Sequence, residues 1–250
     1  MSGPFGMMEK ARQILVEAGL HGLGHLHFQD PQHAPHLANG EKAASLILIG
    51  PIGGSLWPAF SAWRDRQSDG GGDNPLDTWS RSVMEGVASM VGATAYFPFD
   101  EPYHPFQNWA MQAEGLATSP LGLLIHPRFG LWHSYRAALG FSDQSAIGAW
   151  HLLNPSGERS RADICGSCVD KPCLTACPVG AVDLQHFDVT TCRMHLAILA
   201  PGQGCMGEGC LARNACPIGK AYRPPAEQLR FHMAALSLPP RGHVTPQSEG

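Results

Sequence analysis

The chain has 250 residues, a formal net charge of −4 at pH 7 and a hydrophobic fraction of 44%. That is enough apolar residue to bury a core, and enough length for one large domain or a core domain with a small appendage. Lys and Arg form no run that would neutralise phosphates, and nowhere do about 18 apolar residues follow one another, so neither a polyanion-binding surface nor a membrane span is expected.

Division of the charge adds detail. Residues 1–155 carry 8 Lys+Arg against 13 Asp+Glu, whereas residues 156–223 carry 7 against 6. The first ten residues, Met1 to Lys10, lack the basic-then-apolar order of a signal peptide, and no cysteine occurs before Cys165. A reducing, cytoplasmic location is the expectation.

In chain order, Ala11, Ile14, Leu15 and Ala18 recur at helical spacing from Met7 to Ala18, with Gly19 as the stop. His21, His25, His27, His33 and His36 follow at irregular spacing among Gly and Pro, which favours a strand near Leu26–Phe28 and a solvated loop over a metal site. Ala43 to Gly50 is a continuous apolar run, as in a buried central strand. A helix containing Leu56, Phe60 and Trp63 comes next, then a Gly- and Asp-rich loop, Ser68 to Asn74. A second helix opens at Pro75 and stops at Gly92. Ala93 to Phe97 reads as a strand, Pro98 to Pro105 as a loop and Phe106 to Leu116 as a helix. This alternation predicts an α/β layer domain and leaves open whether its sheet is parallel or mixed.

Leu121 to His126 and Leu131 to Phe141 flank Pro127-Arg128-Phe129-Gly130, which predicts a β-hairpin. In its second strand Trp132, Ser134, Arg136 and Ala138 would share a face. Arg136 then needs an anionic partner or polar ligand, or else reaches the sheet edge and solvent.

Composition shifts at Asn154-Pro155-Ser156-Gly157-Glu158-Arg159, which sets the expected domains at 1–155, 156–225 and 226–250. The last of these would hold a short helix, Ala226 to Leu236, and a disordered tail from Pro239 to Gly250. All eight cysteines lie in the middle segment: Cys165, Cys168, Cys173, Cys177, Cys192, Cys205, Cys210 and Cys216. Cys177-Pro178-Val179-Gly180 is echoed by Cys216-Pro217-Ile218-Gly219. Two runs that each close on Cys-Pro suit two four-iron clusters, each of which takes four cysteines. Zinc is the weaker alternative, because only Cys165 and Cys168 have the two-residue spacing of a zinc knuckle. Four disulfides would need an oxidising compartment. Gly166, Gly204, Gly207 and Gly209 would let the backbone approach the clusters.

Over roughly 60 residues this segment resembles dicluster ferredoxins. The resemblance implies that Cys165, Cys168 and Cys173 share a cluster with Cys216, and Cys192, Cys205 and Cys210 with Cys177. Two departures are the four residues between Cys168 and Cys173 and the stretched gaps of the second run.

Ile125-His126-Pro127-Arg128-Phe129-Gly130-Leu131-Trp132-His133-Ser134-Tyr135-Arg136 is similar to the hairpin of cblC-type cobalamin-processing proteins and of epoxyqueuosine reductases. The order of the domains also resembles that of the reductases. The likeness implies a flavin-reductase-like α+β layer domain ahead of a small ferredoxin-like α+β domain, with His126, Phe129, Gly130, Trp132 and Arg136 lining a corrinoid pocket. His126 is then a proton donor or a turn residue, and Asp100, Glu101, Tyr103 and His104 are further polar candidates on one loop. The chain lacks the reductases' G-x-G-W-x-G-K segment and has no basic patch for nucleic acid.

The expected function is an iron–sulfur oxidoreductase, a cobalamin-dependent reductase that passes electrons through two [4Fe-4S] clusters to a base-off corrinoid for chemistry on a small molecule. Its donor would be a protein of the flavodoxin or ferredoxin reductase type. The alternatives are a cobalamin-processing and trafficking protein with a built-in reductase, and a ferredoxin-like carrier whose first domain binds flavin or a partner.

Overall fold

The computed structural model describes residues 4–153 and 163–239. The expected boundary at Asn154–Arg159 and the tail 240–250 lie outside the described residues. Among the described residues, no helix is long and apolar enough to cross a membrane.

The first helix, α1 (Pro4–Glu17), buries Ala11 and Leu15 and ends at Gly19, which has φ +68°. A Cβ at Gly19 would lie 1.9 Å from the Ser55 carbonyl oxygen, so only glycine fits. β1 (His21–His27) and β2 (Ser45–Gly50) follow, and all six residues of β2 are buried, as its unbroken apolar run requires. The strand expected near Leu26–Phe28 begins earlier and takes in His21, His25 and His27. α2 (Trp57–Arg64) buries Trp57 and Phe60. α3 (Pro75–Val91) begins at a proline, whose missing N–H costs nothing in a first turn, and ends at the left-handed Gly92.

β3 (Thr94–Tyr96), α4 (Phe106–Glu114), β4 (Ala117–Thr118), β5 (Leu124–Ile125), β6 (Ala137–Phe141) and α5 (Ser145–Leu153) come next. The second half is made of short helices: α6 (Pro172–Thr175), α7 (Val189–Ile198), α8 (Gly204–Glu208), α9 (Leu211–Ala215) and α10 (Ala226–Ala234).

Four strands form one sheet in the order β1-β2-β6-β3. Every neighbouring pair in it is antiparallel, with Ile47 opposite both His25 and Leu139. Alternation of strand and helix is therefore the signature here of an α+β domain with an antiparallel sheet, and among the described residues neither the parallel nor the mixed arrangement is found.

The chain divides into two compact units, Met1–Leu116 with His133–Arg161, and Ala117–Trp132 with Ala162–Gly250. Residues 117–132 belong with the cysteines, where a single cut near 155 had put them in the first domain. The expected hairpin accordingly does not form: β5 pairs with β4, whereas β6 pairs with β2 and β3. The cause is local. Backbone bonds between His126 and Gly130, at 2.9 and 2.8 Å, close a tight loop at Gly130, which has φ +59°. Leu131 and Trp132 are then spent as core residues, and strand geometry begins only at Ala137.

The excursion 117–132 supplies what the cysteine segment lacks. Leu121, Ile125 and Leu131 form a buried cluster with Val182, Ala212 and Cys216, and five of the eight cysteines belong to that cluster or pack against it, Cys177 and Cys210 among them. So small a unit has few apolar residues of its own to bury.

Candidate metal centres

Cys165, Cys168, Cys173 and Cys216 line one cavity, walled by Pro120, Ile125, Ile164 and Ile218. Turn chemistry holds the first three. Asp163 accepts a bond from the Gly166 N–H at 2.7 Å, and a Cβ on Gly166 would strike that carboxylate. Lys171 takes a left-handed conformation, φ 37°, just before α6 and donates from Nζ to the Cys168 carbonyl at 2.7 Å. This closes the four-residue loop ahead of Cys173. Cys216 arrives from the far end of the unit, and the Ile218 N–H points at its sulfur.

Cys177, Cys192, Cys205 and Cys210 line a second cavity, walled by Val182, Phe187, Leu196 and Met233 among others. Cys192 rides on α7, whose first turn is capped by Asp188 through the Thr191 N–H at 2.9 Å. Cys205 lies in α8, and Cys210 immediately precedes α9. The Ala181 N–H reaches the Cys177 sulfur at 3.3 Å, and the N–H groups of Ala212 and Arg213 point at Cys210. After each Cys-Pro the glycine is left-handed, at φ +62° for Gly180 and +71° for Gly219. Gly207 packs on the Gly202 carbonyl and Gly209 on Leu229, so these glycines, like Gly166, serve tight turns.

Burial is the main cause that raises the thiols of Cys165, Cys173, Cys210 and Cys216 above their ordinary range. Cys192 is pushed up to about 11, by burial first and then by Cys210, Cys177 and Cys205. Such thiols need a cationic core among them before they release their protons. Among the described residues, no three His, Cys, Asp or Glu side chains converge closely enough to hold one metal ion. The sulfurs instead ring a hollow, a geometry that fits a multi-atom iron–sulfur cluster better than zinc. All eight cysteines are free thiols.

Of the residues expected to line a corrinoid, His126, Phe129, Gly130 and Trp132 lie in the cysteine unit. His126 stacks on Phe129 at 4.2 Å, and its Nδ1 accepts the N–H groups of Arg128 and Phe129 at 3.0 and 3.1 Å. Burial, aided by Arg128, lowers the imidazole to about 4, so it is neutral at pH 7 and serves as a turn residue. Phe129 meets Tyr222 edge-on at 5.1 Å. Trp132 is 3% exposed, with the Arg213 guanidinium 4.3 Å above its ring. Arg213 also donates from Nε to the Leu131 carbonyl at 3.1 Å and from a second nitrogen to the same oxygen, and burial lowers it to about 10.

Arg136 belongs to the other unit, immediately before β6. Its anionic partner is internal: the guanidinium pairs with Asp77 and donates to the Ser80 hydroxyl at 3.0 Å. Neither edge nor solvent receives it. These five residues are committed to packing and internal bonds, and as a corrinoid lining they do not fit.

Asp100 is paired with Arg81, which covers Phe97 at 4.4 Å. Tyr103 is 69% exposed and donates to Glu101 at 3.0 Å, and His104 stacks on Trp109 at 5.5 Å. The loop does not gather them around one point. Sequence reading passed over Glu114, which accepts a bond from the Tyr135 hydroxyl at 2.7 Å and is pushed up to about 7 by burial. Its signal was a carboxylate in the last turn of a helix, where the dipole disfavours it. Arg213 was also passed over; a cation inside a five-residue gap between two cysteines was the available clue.

No family model matches the chain. A stretch of 52 residues is 38% identical to the ferredoxin-type protein NapG of Haemophilus influenzae and covers 21% of this chain. The match spans 19% of that relative's length, about a fifth. The solved structure of epoxyqueuosine reductase from Bacillus subtilis aligns with a TM-score of 0.43 and 13% identity, covering 87% of this chain and 65% of that one. A likeness so slight carries no argument about fold.

Proposed function

We propose that this chain is an iron–sulfur electron-transfer protein of oxidoreductase type, with one four-iron cluster held by Cys165, Cys168, Cys173 and Cys216 and a second by Cys177, Cys192, Cys205 and Cys210. The observation that carries the reading is the crossed grouping of the thiols: each cavity takes three sulfurs from one run and the cysteine before proline from the other. The short likeness to a ferredoxin-type protein agrees with it. When bound, such clusters accept and return single electrons at potentials set by burial and by hydrogen bonds to their sulfurs.

The chain's own contributions are specific. Ile218, Ala181, Ala212 and Arg213 aim backbone N–H groups at the sulfurs. Ile125 and Ile164 on one side, and Val182, Phe187 and Leu196 on the other, keep water from the sites. Low dielectric and donated N–H bonds act on the reduced state in opposite directions, the first against the added charge and the second in its favour.

The test is anaerobic reconstitution with iron and sulfide, followed by dithionite reduction. Visible absorption that bleaches on reduction, with EPR signals from two spin systems, is the expected result. A colourless, EPR-silent protein would overturn the proposal.

A further inference from the structure

Cations are scattered along the sequence, but packing gathers several of them beside the first thiol set. Residues 117–132 and 209–226 carry Arg128, Arg213, Lys220 and Arg223 and no Asp or Glu. The two segments lie against each other: the backbone at Gly130 abuts Ile218, that at Gly219 abuts Phe129, and Arg128 donates from Nε to the Tyr222 hydroxyl at 2.9 Å. Arg213 is turned inward onto the Leu131 carbonyl, whereas Arg128, Lys220 and Arg223 are exposed. Among the described residues none of these three has a carboxylate within ion-pair distance, and the Glu208 oxygen that accepts from Arg223 is a neutral carbonyl. Phe129 and Tyr222 add apolar area to the same surface: both are half-buried, they meet edge-on at 5.1 Å, and the Arg128 guanidinium lies 5.5 Å from the Phe129 ring.

This surface adjoins the first thiol set. Pro217 and Ile218 wall that cavity, and Lys220 is four residues from Cys216, so it lies within about 14 Å of it even at full stretch. The loop on the other side of the same cavity carries Asp163 and Asp170, and the chain as a whole is at −4. An acidic partner therefore meets like charge over most of the molecule and opposite charge here, which orients its approach. Three exposed cations are few for a nucleic-acid backbone but match the small, electrostatically steered contacts of redox encounters, in which Arg, Tyr and Phe are favoured. We propose that Arg128, Lys220 and Arg223, with Phe129 and Tyr222, are the docking face for an acidic electron-carrier protein that exchanges one electron with the first thiol set's cluster. One side loses the electron that the other gains. This rests on the iron–sulfur reading above.

The probe is oxidised flavodoxin, an acidic one-electron carrier. Wild type and the double variant Arg128→Glu/Lys220→Glu, reconstituted anaerobically and assayed for iron, are titrated with it by calorimetry at low ionic strength. Their dithionite-reduced forms, freed of reductant, are then mixed with it in stopped flow, where flavin semiquinone reports the transferred electron. In the variant the dissociation constant should rise, and the transfer rate fall, by about tenfold or more. Wild type should lose the same advantage in about 1 M salt, where the Debye length is about 3 Å. Oxidation by hexaamminecobalt(III), a small cation, should not slow in the variant. If the Glu variant does not load iron, Arg128→Gln/Lys220→Gln carries the comparison, with a change of about threefold expected. A loaded variant that binds and reacts like wild type would overturn the proposal, as would wild-type binding that is absent or indifferent to salt, or an equal slowing with the cobalt reagent. Loss of iron in both variants would make these side chains supports of the thiol set and overturn it too. A wild type without iron would overturn the cluster reading itself, and this proposal with it.

Discussion

Arg136 and Glu114 are the two residues of the first unit whose chemistry most invites a functional reading, and both have internal partners. Arg136 answers Asp77 and Ser80, with 14% of its side chain exposed. Truncation of one partner of a buried pair leaves the other uncompensated, typically a loss of 3–5 kcal/mol. Asp77 retains some solvent, at 33% exposure, so Arg136→Gln should cost about 2 kcal/mol in denaturant unfolding. Iron content of the reconstituted protein should not change, and a parallel loss of iron would mean that Arg136 does more than pack.

Glu114 makes stability depend on pH. Its carboxyl stands near 7 in the folded protein against an ordinary 4.5, chiefly through burial. Between those values the folded chain holds a proton that the unfolded chain has lost. Stability is therefore full below the lower value and is lost as the pH rises towards the upper one. The range is on the order of 3 kcal/mol. Glu114→Gln keeps an oxygen for the Tyr135 hydroxyl, so melting temperature measured against pH should lose this slope and be higher than wild type above pH 7. An unchanged slope would place the titrating group elsewhere.

At the scale of elements, the contact between the Gly130 loop and the second Cys-Pro turn fixes how residues 117–132 join the cysteine unit. A Cβ on Gly130 would lie 2.0 Å from the Ile218 oxygen, and one on Gly219 would lie 2.3 Å from the Phe129 carbonyl. Both residues are left-handed. Gly219→Ala combines backbone strain with a main-chain overlap and should cost about 3 kcal/mol or more. Because Ile218 also serves the Cys216 sulfur, its first effect should be a slower and less complete uptake of iron. Uptake at the wild-type rate would show that the two turns can separate without harm.

This contact explains which elements the sequence made legible. Continuous apolar runs and capped helices, such as 45–50 and 75–91, read correctly because burial and end chemistry act within the segment itself. Leu131 to Phe141 did not. Its apolar residues suited a strand, but Leu131 finds its core among the cysteines, a partner that hydrophobic periodicity cannot reveal. An expected grouping of the thiols came from the ferredoxin resemblance of the repeated Cys-Pro phrase, not from spacing alone. Arg213 was not legible, since its contacts with the Leu131 carbonyl and the Trp132 ring are made to distant chain.

Over the whole molecule, the cysteine unit is a closed arrangement in which each thiol set depends on both ends of the segment. Cys216→Ser should disturb the first set and leave the second, so that iron falls by about half. Cys177→Ser should do the converse. Assignment by sequential runs would instead pair Cys177 with the first set and exchange the two outcomes in a site-resolved EPR titration.

The central claim is that eight thiols in two groups of four hold two four-iron clusters. Metal and acid-labile sulfide analysis of the full chain, purified and reconstituted without oxygen, tests it most directly. The account predicts about eight irons and eight sulfides per chain with no stoichiometric zinc. About two zinc ions per chain, without sulfide, would contradict it.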